Sequence, residues 1–244
     1  MKIGVISDIH SNAEALESVL DKLKDVDSII CLGDIVGYGA DPLLCIERIK
    51  KLRVPCLKGN HEGAVVGELD LNFFNEDARL AILWTRNQLK EDHLDYIRGL
   101  NRKIAIKKDI LGVHGSPRQP LWEYILDKQI AEEIFDYFDF KVYFIGHSHI
   151  AGFFSFHHKN KTVLYNSASY GANIKIKQDY SYIINCGSVG QPRDRNPQAS
   201  FGIFDTEKLT VEIVRIDYPI AKAQDKINRA NLPKFLAERL SIGI

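Results

Sequence analysis

The run Lys2-Ile3-Gly4-Val5-Ile6-Ser7-Asp8-Ile9-His10 decides how the chain is read. Ile3, Val5 and Ile6 supply β-branched apolar bulk and Gly4 keeps one face thin, so the run predicts a buried strand. The strand stops on Asp8, with His10 two residues on. A carboxylate and an imidazole at the carboxyl end of a strand can reach one cation. In open α/β sheets, ligands sit just outside those strand ends. A lone Asp-x-His is equally well a turn Asp and a surface His, so the rest of the pattern decides.

Working outward, Ser11-Asn12-Ala13-Glu14 reads as a capping box, with Ser11 as N-cap. Leu16, Val19, Leu20 and Leu23 follow at helical spacing. Ser28-Ile29-Ile30-Cys31-Leu32 is a second buried strand and leads directly into Gly33-Asp34. Asp41 caps the next helix, with Pro42 at its first position. Val54-Pro55-Cys56-Leu57-Lys58 reads as a third strand and ends in Gly59-Asn60-His61-Glu62. Strand, loop and helix thus recur, with metal-capable side chains at each strand's end. Such alternation implies a parallel sheet with helices on its faces.

Residues 63–100 read as helical and partly irregular, with no chemistry; Trp84 reads as core or cap packing and His93 as an exposed helix residue. Lys103–Ile106 and Ile110–Val113 predict paired strands, the second ending in His114-Gly115-Ser116-Pro117-Arg118. A helix from about Asp127 to Tyr137 precedes the strand Val142–Ile145, which ends in Gly146-His147-Ser148-His149. Short strands and turns follow, predicting a mostly antiparallel second sheet. Gly187-Ser188-Val189-Gly190-Gln191-Pro192-Arg193 is a turn-rich loop within it. The tail from about residue 220 predicts one or two amphipathic helices packed outside. Without repeats or linkers, residues 1–244 form a single domain of two sheets with flanking helices.

Composition excludes several classes. With 244 residues the chain fits one large domain or two small ones. Its 32 basic and 32 acidic residues give zero net charge, so there is no global field for nucleic acid. The N-terminus is a strand and not a signal peptide, and no apolar run approaches the ~20 residues of a membrane span. Cys31, Cys45, Cys56 and Cys186 lack paired spacing and read as free thiols in a reducing cytoplasm.

Asp8, His10, Asp34, Asn60, His114, His147 and His149 are the candidate metal ligands. Two cations ~3.5–4 Å apart need about that many, one of them shared, and a carboxylate is the natural bridge. The mixture of imidazole and oxygen suits Mn, and also Fe, Zn, Ni or Co, and is too nitrogen-rich for Ca or Mg. Five of the eight histidines fall at predicted strand ends beside Gly, Asp or Asn, a register that scattered surface residues would not keep. Such a pair of divalent transition-metal ions lowers the pKa of a bridging water, giving a hydroxide that attacks a phosphate ester, and stabilises the growing charge. His61 is placed to protonate the leaving group, with Glu62 to orient it and keep it charged. His157-His158 lies in a polar hairpin turn and carries no role.

Taken in order, Asp8-x-His10, Gly33-Asp34, Gly59-Asn60-His61-Glu62, His114-Gly115 and Gly146-His147-x-His149 resemble the calcineurin-like metallophosphoesterase superfamily. The resemblance spans roughly residues 1–195. It implies a four-layer αββα sandwich of two mixed sheets, an α/β fold with a dinuclear metal site at the carboxyl ends of the strands. It implies one metal on Asp8, His10, Asp34 and His149, a second on Asp34, Asn60, His114 and His147, and His61 as the catalytic histidine. Gly33–Pro42 and Gly187–Arg193 look like the small prokaryotic phosphodiesterase-like branch. Protein serine/threonine phosphatases carry an Arg shortly after the second motif's Asp, where this chain has Val36, Gly37 and Tyr38. Much of the branch has Asp after the catalytic His, where Glu62 stands here.

Arg118 and Arg193 are candidates to bind a second phosphate, since Arg pairs phosphate oxygens bidentately. Trp122 is a candidate to stack on a base, and Tyr124 reads as loop packing. The resulting expectation is a phosphodiesterase whose substrate is a small-molecule phosphate ester, including a nucleotide or dinucleoside polyphosphate. The same site also serves a phosphomonoesterase or phosphoprotein phosphatase, and the same fold serves a non-catalytic protein-binding scaffold. An unpaired edge of the second sheet leaves room for a homo-oligomer.

Overall fold

The computed structural model describes residues 1–244. Strands with apolar side chains on both faces must be covered twice, and this requirement builds the molecule. β1 (Lys2–Ile6) and β2 (Ser28–Cys31) run parallel, with Val5 opposite Ile30. Ile3, Val5 and Ile30 face one layer, while Ile6, Ile29 and Cys31 face another. In β5 (Val142–Ile145), Val142 and Phe144 likewise point one way and Tyr143 and Ile145 the other.

Two mixed sheets result. The first has five strands in the order β2-β1-β10-β11-β8, where β8 is Ala172–Lys175, β10 Ala199–Asp205 and β11 Thr210–Ile216. The second has six in the order β3-β4-β5-β9-β6-β7. Here β3 is Lys103–Lys107, β4 Ile110–Val113, β6 Gly152–His157, β7 Thr162–Ser167 and β9 Tyr180–Asn185. The sheets share a core that includes Val5, Leu32, Phe144, Ile184 and Phe204, with the Phe144 and Phe204 rings 5.5 Å apart. Outside the first sheet lie α1 (Ala13–Lys22), α2 (Pro42–Leu52), α3 (Asn60–Val65), α4 (Glu76–Gln88), α5 (Glu91–Arg98), α7 (Ile220–Arg229) and α8 (Lys234–Glu238). Outside the second lies α6 (Lys128–Tyr137), through Ala131 and Ile134. This is the expected α/β architecture of two mixed sheets flanked by helices. No helix is long and apolar enough to cross a membrane.

Four local expectations are corrected. Residues 54–58 form no strand of their own and keep only single bridges, Cys31 to Cys56 and Leu57 to Asn101. Pro55 has no N–H to extend a ladder, so its carbonyl alone serves Cys31. The strands after residue 150 do not make a separate sheet. β9 enters the second sheet parallel to β5, and β10 crosses to the first, antiparallel to β1. Asn12, not Ser11, caps α1, its Oδ1 accepting from the Ala15 N–H, while Glu14 pairs with Lys222 and Lys226. His93 is buried, its Nδ1 accepting from the Lys90 N–H.

Because Phe144 joins the two sheets from the middle of the shared core, Phe144→Ala is expected to cost roughly 3–5 kcal/mol. A urea denaturation midpoint that stays in place would contradict that role for the ring.

Candidate metal centre

The end of β1 is laced to the end of β2. The N–H groups of Asp8, His10 and Ser11 donate to the carbonyls of Gly33, Asp34 and Ile35 at 3.0, 2.9 and 2.8 Å. From the second sheet, the His147 N–H donates to the Asp8 carboxylate, with 3.1 Å to its Oδ1. The loop 187–193 closes over the same strand end, the Ser188 hydroxyl donating to the Asp8 carbonyl and the Gly190 N–H to it as well. Side chains distant in sequence are thereby brought to one place.

The backbone bends sharply to do this. Twelve non-glycine residues have left-handed φ, and seven of them are Asp8, His10, Ser11, Asp34, Tyr38, His147 and His149. Each costs roughly 1 kcal/mol or more, and such strain collects where the surroundings over-determine a functional geometry. Two glycines permit the close approaches. A Cβ on Gly37 would stand 2.1 Å from His61 Nδ1, and one on Gly59 2.1 Å from Asp34 Oδ1.

All seven candidate ligands converge, buried. The ligand atoms of Asp8, His10, Asp34 and His149 lie within 4.8 Å of one another, and so do those of Asp34, His114 and His147. Asp34 belongs to both groups. Asn60 joins the second, its Oδ1 3.1 Å from His114 Nε2.

The histidines test whether cations fit. His10, His114 and His149 each turn Nδ1 to a backbone carbonyl, of Val36, Leu32 and Gln191 respectively. His147 turns Nε2 to the Trp122 carbonyl at 3.0 Å. A carbonyl only accepts, so each of these nitrogens carries a proton. In the neutral ring the opposite nitrogen is then a lone pair aimed inward, the arrangement that metal-binding imidazoles need. His10 Nε2 and His149 Nε2 face each other at 3.0 Å. His149 Nε2 is also 3.3 Å from Asp8 Oδ1, and His114 Nε2 3.3 Å from Asp34 Oδ2. Acceptors crowded at these spacings fit cations with bonds of roughly 2.0–2.2 Å.

Charge follows the same logic. Burial holds His10 and His149 down, and pushes His147 to about 3. Burial opposes the Asp34 carboxylate, yet His114, His61 and His10 around it hold it well below the usual range. Burial also opposes a charge on His114, but the Asp34 carboxylate raises that ring to about 9, so a cation arriving there displaces its proton.

His61 stands beside this group, its ring 4.8 Å from His10, 4.5 Å from Tyr38 and 5.5 Å from Phe74. Its N–H donates to Asp34 Oδ1 at 2.9 Å. Its Nδ1 is enclosed without a partner, leaving Nε2 for the cleft, and burial lowers the ring to about 4.

Two expectations about the site change. Glu62 does not orient His61. Its carboxylate accepts the N–H groups of Asp34 (2.7 Å), Val36 (3.0 Å) and Gly59 (2.9 Å), and so pins the loops that carry Asp34 and Asn60. Burial and the Asp34 carboxylate push its carboxyl up, against these three donors. Arg118 is not brought in. Glu123 and Glu133 hold its guanidinium, each at 2.7 Å. Arg193 does arrive, donating from Nε to Gln191 Oε1 and from Nη2 to the Tyr38 hydroxyl. Trp122 lies alongside, its ring against Phe73 and Phe74.

Two residues were missed. Tyr124 stacks face to face on His147 with centroids 3.8 Å apart, so it belongs to the site and not to loop packing. Tyr38 contacts His10, His61 and Arg193 at once. The signal available for it was the slim, glycine-flanked Gly37-Tyr38-Gly39, which brings an aromatic ring beside a strand end.

Two mixed sheets with a buried Asp/His cluster at their strand ends make a fold that can hold metal ions. The chain belongs to the calcineurin-like phosphoesterase superfamily, whose domain matches residues 1–209. Residues 210–244 lie beyond that match. An uncharacterized protein of Methanocaldococcus jannaschii is 41% identical over 249 residues, covering 99% of this chain and 98% of its own. The crystal structure of a metallophosphoesterase from Sphaerobacter thermophilus is 40% identical with a TM-score of 0.88, covering 100% of this chain and 99% of that one. A hypothetical protein from Pyrococcus horikoshii shares the fold at 22% identity, with a TM-score of 0.81 over 100% of this chain and 98% of its own.

Glu62→Ala leaves three buried N–H groups without an acceptor and is expected to cost roughly 3 kcal/mol or more in urea unfolding. Glu62→Gln keeps an oxygen that accepts and should cost less. Equal stability of all three proteins would remove the pinning role.

Proposed function

We propose that the protein is a divalent-metal-dependent phosphoester hydrolase acting on a phosphodiester, with nucleotides and dinucleoside polyphosphates as its substrate class. The observation that carries this reading is the shared Asp34 carboxylate between two converging donor groups, with four ring nitrogens aimed inward by backbone carbonyls. Asp8, His10, Asp34 and His149 hold one cation, and Asp34, Asn60, His114 and His147 the other. When bound, the pair supplies Lewis acidity toward a phosphate and makes a water nucleophilic near neutral pH.

The chain's own residues do the rest. Arg193 pairs with a non-bridging phosphate oxygen. It is held by neutral partners, Gln191 and two tyrosines, so its charge is free for an anion. His61 Nε2 delivers a proton to the leaving oxygen. Burial keeps that ring neutral by itself, and an anionic phosphate beside it works in the opposite direction, as Asp34 already does. Trp122, Tyr124 and the exposed Phe73 line one approach and give a base surfaces to stack on. The donor set favours Mn, with Fe, Zn, Ni or Co as other occupants. The four free cysteines fit a reducing cytoplasm.

Two outcomes test the reading. Chelated protein should lose turnover of bis-p-nitrophenyl phosphate and diadenosine tetraphosphate, and regain it with Mn but not with Ca. Preference for p-nitrophenyl phosphate or a phosphopeptide would make it a phosphatase, and no turnover with any metal would leave a scaffold. His61→Ala should lower kcat by about 100-fold or more while metal analysis still finds both ions. Full activity in that variant would remove His61 from the chemistry.

A further inference from the structure

We propose that the loop 115–124, clasped by Arg118 and Glu123, supports the second cation and not the first, with Tyr124 as the positioning residue that acts through His147. The inference rests on the metal-dependent hydrolase reading and deepens it: the two cations have separately built supports, so one can be loosened without the other.

At its centre one ring lies on another. Tyr124 is stacked flat on His147, with centroids 3.8 Å and planes 17° apart. Two residues earlier, the Trp122 carbonyl accepts from His147 Nε2 at 3.0 Å. One short stretch thus fixes His147 by an edge and by a face. An edge hydrogen bond alone leaves a ring free to rock about it, and a stacked partner removes that freedom. The aim of the inward nitrogen depends on both. Tyr124 is 39% exposed, so burial in the core does not account for its place. His114, which opens the same loop, stands beside His147 with ring centroids 5.0 Å apart.

The loop is braced to keep this shape. The Gly115 N–H donates to the Pro120 carbonyl at 2.6 Å and the Gln119 N–H to the Ser116 hydroxyl at 3.0 Å. Glu123 accepts from the Ser116 hydroxyl and from the Arg118 guanidinium. Arg118 also reaches Glu133 of α6 at 2.7 Å. Glu123 sits between Trp122 and Tyr124, so the clasp on its carboxylate holds the residues on both sides. Arg118 therefore serves the centre from outside, by closing the loop.

The first donor group has another support. His149 donates from Nδ1 to the Gln191 carbonyl, in the loop 187–193. That loop is sewn to the end of β1: the Val189 N–H donates to the Ser7 carbonyl at 3.0 Å, and the Asn12 amide to the Gly190 carbonyl at 2.9 Å. None of these bonds passes through residues 115–124. Releasing Tyr124 should move His147 and leave His10 and His149 in place.

Calorimetry of Mn binding to the chelator-stripped full chain tests this. His147→Ala marks the second binding event by removing it. Tyr124→Leu should weaken that event by about tenfold or more and leave the other within about twofold. Tyr124→Phe keeps the ring and should bind both cations as the unaltered chain does. Arg118→Gln opens the clasp at the surface and should weaken the same event by a smaller factor. Equal weakening of both events in Tyr124→Leu, weakening of neither, or a loss in Tyr124→Phe as large as in Tyr124→Leu would make Tyr124 a packing residue and overturn the inference. If Tyr124→Leu does not fold, Arg118→Gln decides by the same comparison. If the unaltered chain binds no cation, the metal-dependent reading fails and this inference with it. If it binds two but turns over no ester, the hydrolase reading alone fails, and the titration still decides the role of Tyr124.

Discussion

The buried carboxylate of Glu62 is the constraint on which the centre depends. It accepts the N–H groups of Asp34, Val36 and Gly59, which lie on two separate loops. Neither loop has a regular ladder at that point, because the segment before Gly59 keeps only single bridges to its neighbours. A backbone N–H buried without a partner is expensive, so one side chain that satisfies three of them fixes both loops. Asp34 and Asn60 are then delivered to one place at a left-handed turn and a helix start. Water could satisfy the same N–H groups but could not hold them in register. The burial that raises this carboxyl's pKa also keeps water out.

Backbone carbonyls give the histidines a similar fixity. Leu32 and Val36, both in the loop that follows β2, hold His114 and His10, while Gln191 and Trp122 hold His149 and His147. A ring free to rotate would spend its time hydrated, with either nitrogen outward. Here the tautomer and the ring plane are set before any ligand arrives, so little ordering remains to be done.

Much of this was legible from residue order. The strand ends at Asp8, Asp34, His114 and His147 could be read because each follows an apolar run, and the recurrence of strand, loop and helix predicted a parallel sheet with helices on its faces. Pairing was not legible. β9 and β10 are both apolar strands, and nothing in their periodicity says that one joins β5 and the other β1. Residues 54–58 look like a strand until the missing N–H of Pro55 is weighed against an edge position. Roles that depend on side-chain direction were the least visible. Glu62 follows His61 in sequence yet turns away from it, Arg118 meets Glu123 and Glu133 before it can meet a ligand, and Tyr124 lies flat on His147.

The centre also straddles the fold. Asp8, His10 and Asp34 follow strands of the first sheet, whereas His114, His147 and His149 follow strands of the second. Their separation is therefore set by the core between the sheets, where Leu32, Phe144 and Phe204 are almost wholly enclosed. Close-packed side chains compress little, so the spacing of the donors is inherited from that layer and not adjusted loop by loop. The strained residues then serve a narrower purpose: they turn each side chain the last few ångströms inward from a platform whose spacing is already given.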